Sequence, residues 1–132
     1  MLTEGSDRLN RGASPLNGVR VLVVEDSWHV ARAMQSVLEQ MGMVVASPVA
    51  TLDDAKRLIA ENTFDLALVD INLKGEMTYD LIGHLHDRGV RVVVVSGYAA
   101  VGESLLNAAA VLQKPFSGSE LLATLRQVMR PT

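Results

Sequence analysis

A chain of 132 residues with 48% hydrophobic and 20% charged residues is the size of one globular domain with one sizeable core, which excludes a disordered chain. Its formal net charge of −3 gives neither nucleic acid nor an anionic membrane an electrostatic reason to bind. The absence of cysteine excludes disulfides, thiolate catalysis and sulfur-ligated metals, and no apolar run approaches the ~18 residues needed to span a bilayer.

The opening MLTEGSDRLNRGASPLNG is polar and without periodicity, and lacks the basic-then-apolar plan of a signal peptide. Residues 1 to about 17 therefore read as a flexible leader ahead of a domain over 18–132, expected to be soluble and cytoplasmic. From Val19 short apolar runs follow: VRVLVV, MVVASPV, FDLALVD, VRVVVVS and AAVLQ. Most are continuously apolar and rich in Val, as parallel strands covered on both faces must be. Amphipathic segments separate them. Val30, Met34, Val37, Leu38 and Met41 form one helix face that Gly42 stops. Thr51 and Asp54 open a second helix carrying Leu52, Ala55, Leu58 and Ile59. Leu81, Leu85 and Arg88-Gly89 mark a third helix and its end. Ser117 and Glu120 make a capping box for the last helix, with Phe116 placed to staple onto Leu121. Five strands alternating with five helices predict an α/β (βα)₅ domain with a doubly wound parallel sheet, in the flavodoxin-like order 2-1-3-4-5.

In such sheets ligands bind beyond the carboxyl ends of the strands, where the strand order reverses. The first predicted strand ends in Glu25-Asp26, the third in Asp70, the fourth in Ser96 and the fifth in Lys114-Pro115. Taken singly each has a plain structural reading. Asp70 could close a turn, Glu25-Asp26 could favour a helix dipole, Lys114 could be solvated, and Ser96 before Gly97 could sit in a turn. Taken together they converge on one rim. Three clustered carboxylates repel one another, and a hard divalent cation with oxygen ligands, Mg²⁺, relieves that repulsion. Lys114 and Ser96 could then neutralise and orient a phosphoryl group, with Asp70 as the carboxylate nucleophile.

Between Gly18 and Arg130 these segments resemble the response-regulator receiver domains of two-component systems, CheY-like proteins. VLVVED resembles the family's acidic pair, ALVDINL its phosphoacceptor segment, VVSG its Ser/Thr segment, and QKPF its closing Lys-Pro. The resemblance implies that Asp70 accepts phosphate from a phosphohistidine of a histidine kinase or histidine phosphotransfer protein. It implies direct Mg²⁺ ligation by Asp26, Asp70 and the main-chain carbonyl of Asn72, with Glu25 acting through water. Lys114 would pair with the phosphoryl group, Ser96 would move to bond it, and Pro115 is the position for a cis peptide. The acidic pair is Glu-Asp here rather than Asp-Asp, which the outer-sphere role accommodates. Where many receivers carry a switching aromatic three residues before the lysine, this chain has Val111. Tyr98 instead follows Ser96-Gly97, as in single-domain receivers with a Thr-Gly-Tyr-type segment, and Gly97 to Gly102 is expected to be the mobile element.

Trp28 is expected near the metal rim as a partly buried packing residue, while His29, His84 and His86 read as surface residues. A haloacid-dehalogenase-like phosphohydrolase would need an acid where Asn72 stands. No nucleotide-binding glycine motif occurs, and the complete set of Glu25, Asp26, Asp70, Ser96 and Lys114 argues against a receiver used only for docking. The domain is expected to be a signalling phosphoacceptor rather than an enzyme. Its output is expected through the helix 4–strand 5–helix 5 face, to a protein target or a second copy. With Thr132 soon after the last helix it reads as a single-domain regulator; the alternative is a receiver module of a larger hybrid kinase.

Overall fold

The computed structural model describes residues 15–97 and 105–131. In chain order the elements are β1 (Arg20–Val24), α1 (Trp28–Gln40), β2 (Val44–Val45), α2 (Leu52–Glu61) and β3 (Leu66–Asp70). They continue with β4 (Asn72–Leu73), β5 (Glu76–Met77), α3 (Tyr79–Asp87), β6 (Arg91–Ser96), β7 (Ala110–Gln113) and α4 (Gly118–Val128). The main sheet is five-stranded and parallel, in the order β2-β1-β3-β6-β7, which is the expected 2-1-3-4-5 arrangement.

Strand pleating divides the core in two. Leu22, Val24, Ala67, Val69, Val92 and Val94 point to one face, where Ala55 and Ile59 of α2 and Leu81, Ile82 and Leu85 of α3 cover them. Val21, Val23, Leu66, Leu68 and Val93 point to the other, under Met34 and Leu38 of α1 and Leu121 and Leu125 of α4. Every residue of β3 is buried, which is why its sequence shows no alternation. Leu68 is fully buried at the centre, and Leu68→Ala there would cost ~2–5 kcal/mol.

Three helix starts have the chemistry of their sequences. The hydroxyls of Ser27, Thr51 and Ser117 accept from the backbone N–H groups of Val30, Asp54 and Glu120, at 3.4, 3.1 and 3.0 Å. The Glu120 carboxylate accepts in turn from the Ser117 N–H at 2.8 Å, completing the capping box.

Several features differ from expectation. Leu16, within the stretch expected to be a leader, is fully buried in the second core cluster. The second strand is only Val44–Val45, with one isolated bridge, Val24 to Val49, beyond it; Pro48 supplies no N–H to continue the ladder. A small antiparallel hairpin, β4–β5, follows β3, turning through Lys74 and Gly75 at φ 51° and 97°. Four helices are seen among the described residues; the remaining expected helix, with Tyr98 and nearly all of the Gly97–Gly102 segment, falls largely on residues outside them.

Candidate functional site

Parallel register brings the polar strand ends to one edge. Val24 of β1 pairs with Val69 of β3, so Glu25 and Asp26 leave β1 beside Asp70. Asp70 pairs with Val95 of β6, which puts Ser96 one step beyond it, and Ser96 pairs with Gln113 of β7, the residue before Lys114. The Ser96 carbonyl accepts from the Lys114 N–H at 2.7 Å, and the Lys114–Pro115 peptide bond is cis.

Carboxylate oxygens of Glu25, Asp26 and Asp70 lie within 4.8 Å of one another. Glu25 and Asp70 are buried, Asp26 is half-buried, and Ser96 is buried beside them. The Lys114 ammonium stands 3.0 Å from Asp70 Oδ2 and 3.0 Å from Glu25 Oε1. It thus pairs with two of the three acids, Glu25 and Asp70. Backbone donors hold the other oxygens: Ser27 N–H donates to Glu25 Oε2 and Asn72 N–H to Asp70 Oδ1, both at 3.0 Å. Glu25 Oε1, although close to Lys114, is buried without a well-aligned hydrogen bond.

The electrostatics follow. Burial pushes the Glu25 carboxyl up to about 6; the Ser27 N–H and the Lys114 ammonium pull against it, while the charge on Asp70 adds to the rise. Burial alone would lower the Lys114 ammonium, but its hydrogen bonds to Asp70 and Glu25 outweigh that, and the net direction is upward. Two of the three clustered acids, Glu25 and Asp70, share one ammonium, and one buried oxygen lacks a proper donor. This donor set, all oxygen and in surplus negative charge, fits a hard divalent cation.

Asn72 begins β4, half-buried, with its side-chain Oδ1 accepting from Gly75 N–H at 2.6 Å across the hairpin turn. Gly97 is exposed after β6, and Val111 lies in β7 with 41% of its surface exposed. Trp28 adjoins the rim but is 66% exposed rather than partly buried, with the Arg32 guanidinium 5.4 Å from its ring centre. Together they line a cavity of about 340 Å³ that Glu25, Asp26 and Val49 also border. His29, His84 and His86 are exposed.

Sequence reasoning missed Thr78. It is fully buried, and its hydroxyl donates to the main-chain carbonyl of Asp70 at 2.8 Å. The only signal was a threonine just ahead of the third helix, a position where a hydroxyl ordinarily caps.

Comparison with known proteins agrees with the fold. Residues 21–126 match the model of the response regulator receiver domain. The transcriptional regulatory protein TctD of Salmonella typhimurium is 31% identical over 118 residues, covering 85% of this chain and 52% of that protein. The chain spans a quarter to about half the length of the curated relatives it matches. A response regulator protein of Burkholderia pseudomallei with a phosphorylated aspartic acid, calcium ion and citrate superposes with a TM-score of 0.73, at 26% identity, over 84% of this chain and 68% of that one. The response regulator TrrA of Thermotoga maritima, in complex with Mg²⁺ and BeF, has the same fold at TM-score 0.75 and 18% identity, over 83% and 98% of the two chains. With sheet order, acidic rim and closing lysine all in place, the chain belongs to the response regulator receiver domains of two-component systems.

Proposed function

We propose that this domain takes a phosphoryl group onto Asp70 from a phosphohistidine of a histidine kinase or histidine phosphotransfer protein. One observation carries the reading: Asp70 is a buried carboxylate within 4.8 Å of two further acids, with the Lys114 ammonium 3.0 Å from its Oδ2. Oδ1 is held by the Asn72 N–H, whereas the partner of Oδ2 is a flexible lysine able to follow a transferred group. Oδ2 therefore attacks phosphorus; the P–N bond breaks and its electron pair returns to the imidazole nitrogen. Bound Mg²⁺, held by Asp26, Asp70 and the Asn72 carbonyl with Glu25 acting through water, would neutralise charge on the transferring oxygens. Lys114 then pairs with a phosphoryl oxygen in place of Oδ2, and Ser96 bonds another.

The same residues assist phosphorylation from small acyl phosphates and later hydrolysis, so the domain acts as a signalling phosphoacceptor. Its site faces the cytoplasm with the kinase, and the phosphoryl state is read through the face around β7 and α4, by a protein target or a second copy. Exposed Val111 lies on that face. Phosphorylation is tested by incubation with acetyl phosphate and Mg²⁺, followed by intact mass. One added phosphoryl group, absent from Asp70→Asn, is the expected result. Steady turnover of phosphomonoesters, or no modification, would overturn the proposal.

A further inference from the structure

Among the described residues four helix starts carry a hydroxyl at the capping position, and one of them behaves differently. Ser27, Thr51 and Ser117 each accept from a backbone N–H of their own helix. Thr78, at the start of α3, makes no such bond. Its hydroxyl turns away and donates to the carbonyl of Asp70 at 2.8 Å, while its own N–H reaches the Ile71 carbonyl at 3.0 Å. The Asp70 carbonyl has reason to need this donor. The β1–β3 ladder stops at Val24 and Val69, and β1 turns off to pair Glu25 N–H with Val49. A buried carbonyl left there would lack a partner.

The segment between the two residues joins a second grip to the first. Asn72 N–H holds the Asp70 carboxylate at Oδ1, Asn72 pairs with Met77, and Leu73 pairs with Glu76 across the tight Lys74–Gly75 turn. Thr78 follows directly. Residues 72–78 thus return to Asp70 twice, at the side chain through Asn72 and at the main chain through Thr78. Fixing both ends of one residue fixes the direction of its carboxylate.

We infer that Thr78 is a positioning residue for Asp70: its hydroxyl, diverted from capping α3, locks the phosphoacceptor's peptide and so aims the carboxylate at the incoming phosphorus. Loss of that aim lowers the rate at saturation more than it weakens cation binding, because the three carboxylates that attract the cation stay in place. The role in transfer rests on the phosphoacceptor reading above, whereas the positioning itself does not.

The test compares Thr78→Val, which keeps the shape and removes the hydroxyl, with Thr78→Ser, which keeps the hydroxyl. The first measurement is amide hydrogen exchange of Asn72 N–H relative to Leu68 N–H in the same protein, with no phosphodonor present. About tenfold faster relative exchange in Thr78→Val, restored in Thr78→Ser, is expected. Equal acceleration of both amides, or none, would overturn the positioning role, since a purely structural loss loosens the strand as a whole. The second is the acetyl phosphate reaction at saturating Mg²⁺ and donor. Thr78→Val should run about tenfold slower with its Mg²⁺ midpoint within twofold of the parent, and Thr78→Ser close to the parent rate. An unchanged rate in Thr78→Val, or an equal fall in Thr78→Ser, contradicts the inference. A parent that is never phosphorylated overturns the phosphoacceptor reading instead, and the exchange measurement then decides Thr78. Should Thr78→Val fail to fold, Thr78→Ala takes its place in both measurements, with the same outcomes.

Discussion

At the amino ends of β1 and β3, Arg20 and Asp65 face each other across the sheet edge; at the carboxyl ends of the same strands stand Glu25, Asp26 and Asp70. The first pair is matched one to one. Arg20 reaches Asp65 at 3.1 Å through a side-chain nitrogen and at 2.9 Å through its backbone N–H, and both side chains are partly exposed. The pairing lowers Asp65 below the usual carboxylate range and raises Arg20, so each stays charged in comfort. The second group, with Glu25 and Asp70 buried and Asp26 half-buried, sets three acids beside one ammonium, and there the Glu25 carboxyl rises instead. Charge at a strand end is common to both edges. Burial with imbalance sets the second edge apart, because it leaves an unmet electrostatic demand that a cation can satisfy.

The contrast breaks most visibly at Lys114. Lys114→Ala removes the ammonium from the acidic edge and should slow phosphorylation by acetyl phosphate by about 100-fold. It should also destabilise the metal-free domain by ~2 kcal/mol, a loss that Mg²⁺ partly restores. A variant that reacts at the parent rate would show that the ammonium is no part of the phosphoryl site.

Glu25→Gln works in the opposite direction on stability. Burial pushes the folded carboxyl up to about 6 from its ordinary 4.5, so between those values the folded state binds more protons than the unfolded one. Metal-free stability must therefore fall as pH rises through that window, and the cost is fully present above it. Glu25→Gln should raise stability at pH 7 by roughly 1–2 kcal/mol in chelator and flatten the dependence seen by thermal melts between pH 4.5 and 7. Protons also compete with the cation, so apparent Mg²⁺ affinity should drop below about pH 6 in the parent. A melt profile identical in parent and variant would refute the assignment of the strain to Glu25.

Trp28 gives a gentler reading. It borders the cavity beside Glu25 and Asp26, so Mg²⁺ should change its fluorescence saturably. A flat titration to millimolar metal counts against the site. The smallest effect belongs to the opposite edge. Asp65→Asn should lower the melting temperature slightly, less so in high salt, and leave phosphorylation untouched. A slowed reaction there would erase the distinction between the two edges.

Much of this was legible in residue patterns, because the signals that carry it are long or redundant. The Val-rich runs of β1, β3 and β6 announce a sheet covered on both faces, and sheet topology alone then gathers Glu25, Asp26, Asp70, Ser96 and Lys114. Short-range features were harder. Two-residue strands cannot show a period, and the β4–β5 turn places a lysine, not glycine, at one of its positive φ positions. Leu16 sits in a polar stretch whose composition hides one core residue. Large aromatics usually bury, yet Trp28 is 66% exposed, with the Arg32 guanidinium over its ring. Thr78 reads as an ordinary cap, and only coordinates reveal that its hydroxyl serves Asp70 instead.

Borohydride reduction of the protein after acetyl phosphate and Mg²⁺ treatment tests the phosphoacceptor most directly, since it converts an aspartyl phosphate to homoserine at the residue that carried it. Peptide sequencing should find homoserine at position 70 and nowhere else. Homoserine at position 26 or at any other aspartate, or none from a protein shown to be phosphorylated, would contradict the account.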